Sequence, residues 1–297
     1  MIISRLNGGL GNQMFQYALG KVVSYLNKTN YFLDISLYDH QQEVDTPRSY
    51  ELDLFSNIKA TIAKKTLLEK FTKPNKLKLL LNHYLKLNLQ AYPPKWIREN
   101  GHQFHPEILE LKGDYLLDGY WQTEKYFKKY RNLILEDFVF PKKTSQKNRN
   151  IIKKITNSQA VSLHVRRGDY VSNKLTNAYH GAVSLNYYEK AINLIKKKVK
   201  NPLFIIFSDD PKWCKNNLPV PKNSIFVDHN KGKQSFEDMR LMSLCKHNII
   251  ANSSFSWWGA WLNQNSNKIV IAPGSWFKNK DSNTTDIIPS NWIKIES

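Results

Sequence analysis

Apolar positions change their spacing along the first forty residues, and the change predicts how the chain opens. Ile2 to Leu6 is a short apolar run that reads as a strand, and a glycine-rich polar turn follows it through Asn12. Met14, Phe15, Ala18, Leu19, Val22 and Val23 then recur close to the helical period of about 3.6 residues. Tyr31 to Ile35 reads as a second strand, so the opening unit is strand, turn, helix, strand. From about Lys59 to Leu89 the chain is rich in Lys and Leu and predicts helix interrupted at Pro74. Leu67, Leu68 and Phe71, then Leu77, Leu80, Leu81 and Tyr84, are spaced as one apolar stripe. Packing on a core is the commoner use of such a stripe and is the expectation here; a basic amphipathic helix lying on a membrane surface is the other. A strand at Tyr115 to Tyr120 and a helix from about Thr123 to Phe138 complete the first half.

Pro141 to Asn150 (PKKTSQKNRN) is polar and basic. It reads as a linker, which puts a first α/β domain over 1–145, carrying the Lys/Leu-rich helical insertion, and a second over 151–297. Beyond it the pattern becomes regular. Ala160 to Val165, Leu203 to Phe207, Ile225 to Val227, Asn248 to Ala251 and Lys268 to Ala272 are short strand-like runs, with helix-length segments such as Leu185 to Lys198 and Phe236 to Cys245 between them. Strands alternating with helices predict an α/β fold whose parallel sheet is covered by helices. In such sheets ligands sit outside the carboxyl ends of the strands. Four polar motifs fall there: Asn7 to Asn12, Arg166 to Asp169, Ser208 to Asp210, and Asn252 to Ser254.

Composition narrows the classes. Hydrophobic residues are 41% and charged residues 23% of the 297, too apolar for general disorder. No apolar run is long enough for a transmembrane helix, and the N-terminus lacks the order of a secretory signal. A cytoplasmic protein is expected, with Cys214 and Cys245 as reduced, buried thiols. The net charge of +19 admits nucleic acid, an anionic membrane surface or an anionic small substrate. The basic stretches 73–78 and 196–200 carry no nucleic-acid-binding signature. They are solvated helix faces, or a loose attachment to the anionic inner face of the plasma membrane.

His164-Val165-Arg166-Arg167-Gly168-Asp169 is the strongest chemical signal. Strand alternation sends His164 and Arg166 to one side. A guanidinium can grip two phosphate oxygens and stays charged at any working pH, so Arg166 and Arg167 fit a pyrophosphate. The alternative is pairing with Asp169, Asp209 or Asp210 in a structural network. Ser253, Ser254 and Phe255 enter a helix, and a helix N-terminus receives anions; plain N-capping also selects serine. Asp209 fits a ribose or guanine edge, or caps a helix with Pro211 in its first turn. Gly8, Gly9 and Gly11 resemble a dinucleotide fingerprint, but Met14 replaces its third glycine. They more readily admit a sugar or phosphate beside Asn12 and Gln13, although Asp34 stands about where a ribose-binding acid would be. No D-x-D occurs, so no metal is expected to bridge the substrate.

Four segments, GGLGNQMFQYALG, DGYWQTEKYF, HVRRGDY and DMRLMSLCKHNIIANSSFSWWGAWL, together resemble glycosyltransferase family 11, the α-1,2-fucosyltransferases. The resemblance implies a GT-B-like pair of Rossmann-like domains facing a cleft, with the first domain on the acceptor side. It implies GDP-β-L-fucose as donor, the 2-hydroxyl of a galactose on a surface glycan as acceptor, inversion, and no cofactor. It gives Arg166 the donor's β-phosphate, His164 and Asp209 the guanosine, Ser253 and Ser254 the phosphates, and Asn12 a place near the fucose. Gly9 stands where related O-fucosyltransferases carry an arginine. A base for the acceptor hydroxyl has three candidates, Asp118, Glu124 and Asp169, each equally readable as structural.

Overall fold

Ile2 and Ile3 have no exposed surface, and the strand they open, β1 (Ile2–Arg5), is the centre of a fully parallel sheet. This computed structural model describes residues 1–40, 47–87, 89, 91, 93, 95–168, 181–278 and 283–296. The chain divides into two compact units, Met1–Val139 and Phe140–Ser297. In the first, β1 lies between β2 (Tyr31–Asp34) and β5 (Tyr115–Asp118), with β3 (Thr61–Ile62) and β4 (Trp96–Arg98) as edges. Arg5 pairs in register with Asp34 and with Asp118, so three charged residues come level at the carboxyl edge. Helix α1 (Leu10–Leu26) buries Met14, Phe15, Ala18, Leu19, Val22 and Val23, the stripe that its periodicity predicts.

The Lys/Leu-rich region behaves in two ways. Helix α2 (Lys65–Thr72) sets Leu68 and Phe71 against Ile3 and Leu116 of the sheet. Helix α3 (Lys76–Leu85) buries no residue at all, so the expected core packing of Leu77, Leu80 and Tyr84 does not occur. Pro74 ends the docked helix, and the chain restarts on Asn75, whose side chain caps α3 at the Lys78 N–H. The predicted helix over 123–138 is likewise broken. Phe127 leaves the helical region (φ −133°, ψ 0°), giving two short 3₁₀ turns and then α4 (Arg131–Asp137).

The second unit has a six-stranded parallel sheet in the order β11-β10-β9-β6-β7-β8. Its strands are β6 (Gln159–Val165), β7 (Pro202–Ser208), β8 (Ile225–Val227), β9 (His247–Ile249), β10 (Val270–Pro273) and β11 (Ile293–Ile295). Period-two alternation feeds both faces. Val161, Leu163, Phe204 and Ile206 pack under α6 (Leu185–Lys198), while Ala160, Ile205 and Phe207 meet α5 (Gln146–Thr156) and α8 (Phe236–Leu244). The stretch 141–150, expected as linker, is half helix. Ser145 caps α5 at the Asn148 N–H, and the polar residues 146–150 form an opening whose apolar anchors, Ile151 and Ile155, come only afterwards. The α/β class with parallel sheets is therefore what the strand–helix alternation predicts, in both units.

Candidate functional site

β6 lies between β9 and β7, so the segments leaving these three strands are neighbours. Val165 is in register with Ser208 and Leu163 with Ile249. Sequence positions far apart, 164–168, 209–210 and 252–255, thus converge at one edge of one sheet, the ligand-binding edge of parallel α/β folds.

Arg166 Nη1 lies 2.9 Å from Asp209 Oδ2, with both side chains about three-quarters buried. The other carboxylate oxygen of Asp209 accepts the backbone N–H of Arg167 at 2.8 Å. Asp209 therefore fixes the direction of the Arg166 fork, which has further N–H donors. Gly168 makes room for this: a Cβ there would lie 2.8 Å from Asp209 Oδ2. Gly168→Ala is expected to push the carboxylate off Arg166 and lower kcat/KM roughly tenfold to a hundredfold, with little change in melting temperature. An alanine variant with unaltered kinetics would show that the pair has no part in turnover. Arg167 is used differently. Its guanidinium stacks 4.0 Å from the centre of the Trp213 ring and lies 3.6 Å from Asp210, the structural pairing that its sequence also allowed. Asp210 caps α7 (Pro211–Asn217) at the Trp213 N–H.

Burial pushes the His164 imidazole down to about 4, against the pull of Asp209, so the ring is neutral at pH 7. Its Nδ1 is buried and has no hydrogen-bond partner among the described residues. Its ring lies 6.0 Å from that of Phe255, which joins the β6 exit to the start of α9 (Ser254–Leu262). Ser253 holds the N-cap position (φ −140°, ψ 125°), yet its hydroxyl makes no capping bond. Simple capping therefore does not account for this serine, and the first N–H groups of α9 have no intrahelical partner of their own. Asn252 is an anchor, donating to the carbonyls of Gly181 and Trp276 at 3.1 Å each. Trp257, Trp258 and Trp261 are buried packing. Asp169 lies outside the described residues.

The glycine turn of the first unit is built otherwise. Gly8 has φ +77° and Asn12 leans against it, while Gln122 donates to Asn12 Oδ1 at 2.8 Å. Gly9 is extended, and a Cβ placed there would sit in ordinary contact with the Arg48 side chain, 3.8 Å away. Gly11 is buried in the first turn of α1, which begins at Leu10, three residues earlier than expected. The α1 N-terminus is already occupied by an internal anion: Glu51 Oε2 accepts the Leu10 N–H at 3.0 Å. Asp34 is also committed, to Arg5 at 2.8 Å and to the backbone and hydroxyl of Ser36. A dinucleotide needs both a bare helix terminus and a ribose-binding acid, so this turn does not fit one. Of the candidate bases, Asp118 accepts from Arg5 at 3.1 Å and from the Trp96 indole at 2.9 Å, and Glu124 is buried 2.9 Å from Lys128 Nζ. Sequence reasoning missed Arg48, Glu51 and Glu99. Burial raises the carboxyls of Glu51 and Glu99, and Glu99 accepts the N–H groups of Tyr120 and Trp121 at 2.6 and 2.9 Å. The strand-exit rule would have found Glu99 had β4 been recognised.

The model of glycosyl transferase family 11 matches residues 1–296. The chain belongs to that family. This glycosyltransferase is 35% identical to an α-1,2-colitosyltransferase of Escherichia coli, over all of this chain and 99% of the other. It is 34% identical to the O-antigen biosynthesis glycosyltransferase WbnK of Escherichia coli, over 98% and 99% of the two chains. A galactoside 2-α-L-fucosyltransferase of Bos taurus matches more distantly, at 27% identity over 57% of this chain and 48% of that one.

Proposed function

We propose that this glycosyltransferase moves L-fucose from GDP-β-L-fucose to the 2-hydroxyl of a terminal galactose on a surface glycan, with inversion, and that it needs no metal or other cofactor. The observation that carries this is Arg166, aimed by Asp209 beside the opening of α9. As the glycosidic bond breaks, negative charge collects on the departing diphosphate. A fixed guanidinium and a helix terminus offset that charge without reorganising, the task a divalent cation otherwise performs. In this scheme Ser253 and Ser254 hold phosphate oxygens, and a neutral His164 with Phe255 meets the guanosine without adding charge. Asp209 positions Arg166, Gly9 and Asn12 contact the donor sugar, and Gly11 only shapes their turn. Arg167 stiffens the edge through Trp213. Asp118 and Glu124, each held by a cation, are not proposed as bases.

The full-length relative named as an α-1,2-colitosyltransferase favours a second reading: the same α-1,2 linkage made with colitose. The test is transfer to a galactoside panel with GDP-fucose, GDP-colitose, GDP-mannose and UDP-galactose, the product linkage read by NMR. Fucose on O2 of galactose, formed undiminished in excess EDTA, is expected. Faster transfer from GDP-colitose establishes the second reading, and use of UDP-galactose alone overturns both. Activity lost in EDTA and restored by Mg²⁺ or Mn²⁺ overturns the metal-free scheme.

A further inference from the structure

Alone among the described α-helices, α3 buries none of its residues. Leu77, Leu80, Leu81, Tyr84 and Leu85 fall within an arc of roughly 140° of the helix circumference. Leu77 is 65%, Leu80 53%, Tyr84 73% and Leu85 61% exposed. Scattered apolar residues at a surface need no explanation, but a contiguous stripe of large ones marks a surface that something covers. The helix is nevertheless tied in place. Asn75 donates its backbone N–H to Ala91 O at 2.7 Å, and the Asn82 amide bridges both the N–H and the carbonyl of Leu89 at 2.8 Å.

Charge identifies the cover. Residues 59–89 contain eight lysines and one acid, Glu69, and Lys73, Lys76, Lys78 and Lys86, all exposed, surround the stripe. A second copy docked through this face would set lysines against lysines across a two-fold axis, which opposes pairing. An anionic lipid surface complements them instead. Leucines and the Tyr84 ring would enter the acyl boundary while lysine stems reach back to the headgroups. At about 15 Å the helix is half the thickness of a bilayer core, so it lies flat. We infer that α3 docks this glycosyltransferase on an anionic membrane leaflet through Leu77, Leu80, Tyr84 and Leu85, with Lys76 and Lys78 holding the headgroups.

The test uses the whole chain and vesicles of phosphatidylcholine, with and without phosphatidylglycerol. The protein is expected to float with the mixed vesicles, less so as salt rises, and weakly or not at all with phosphatidylcholine alone. Leu80→Glu with Tyr84→Glu is expected to weaken that binding roughly tenfold or more, leaving melting temperature and transfer to a soluble galactoside unchanged. Lys76→Glu with Lys78→Glu should weaken it and flatten its salt dependence. Because Cys214 and Cys245 are buried, Tyr84→Cys can carry an environment-sensitive dye, whose emission should shift blue on mixed vesicles. Absence of vesicle binding, glutamate variants that bind like the parent, or a dye unmoved while the protein floats would each overturn the inference. So would a dimer in sedimentation that Leu80→Glu with Tyr84→Glu dissolves, since a second copy would then cover α3.

Discussion

Arg166→Ala is expected to lower kcat by at least about 10²-fold, the usual cost of removing one preorganised group aimed at developing charge. The chain should still fold. The ion pair with Asp209 is partly exposed, each side chain about a quarter so, and such pairs contribute roughly 1 kcal/mol or less. A melting temperature within a few degrees of the parent is therefore expected, with GDP binding weakened in calorimetry. Arg166→Lys distinguishes charge from geometry. An ammonium keeps the charge but not the fork, so partial activity is expected, well below the parent and above alanine. Were Arg166→Ala to turn over normally with parental GDP affinity, the ion pair would be only structural and the proposed donor site would have to lie elsewhere.

The second unit was more legible in the sequence than the first, and the reason is physical. Its strands pack on both faces, so β6 and β7 are long apolar runs, and Leu185–Lys198 carries a clean stripe of Tyr188, Ala191, Ile192 and Ile195. What stayed hidden was short or lateral. Edge strands such as Trp96–Arg98 and Ile293–Ile295 are three residues long, below the length at which alternation shows. The polar opening of Gln146–Thr156 resembles a linker because its apolar anchors lie in its later turns. The candidate site shows the same division. Motif chemistry marked Arg166 and Asp209, which directly follow β6 and β7, and Ser253, which lies between β9 and α9. It could not show that Asp209 spends both oxygens on residues 166 and 167, or that Arg48 lies alongside Gly9. Those are contacts between segments with no sequence signature. The stripe at 77–85 fitted two environments, core packing being the expected one, and only the fold shows that nothing in this unit buries it.

Arg5→Met is expected to be the most destabilising single change at the carboxyl edge of the first sheet, costing about 3–5 kcal/mol, as removal of one partner from a buried ion pair does. Asp34 has no exposed surface, and Arg5 is its only cationic partner among the described ion pairs, with a side chain 13% exposed. The same arginine reaches Asp118 and stands 5.1 Å over Trp96, a ring that the Arg98 guanidinium also approaches, at 3.7 Å. Losing it strands a buried carboxylate and loosens the edge formed by β1, β2 and β5, so a fall of roughly 10 °C in melting temperature is expected. Adding Asp34→Asn should recover part of that loss, because the uncompensated charge goes with it. The same network decides what Asp118 does. An asparagine at 118 can still accept the Trp96 indole N–H, so Asp118→Asn is expected to keep transfer within roughly threefold of the parent while losing about 1 kcal/mol of stability. A fall in kcat beyond about 10²-fold at unchanged stability, with loss of the acidic limb of the pH profile, would instead make Asp118 the base that takes the acceptor proton.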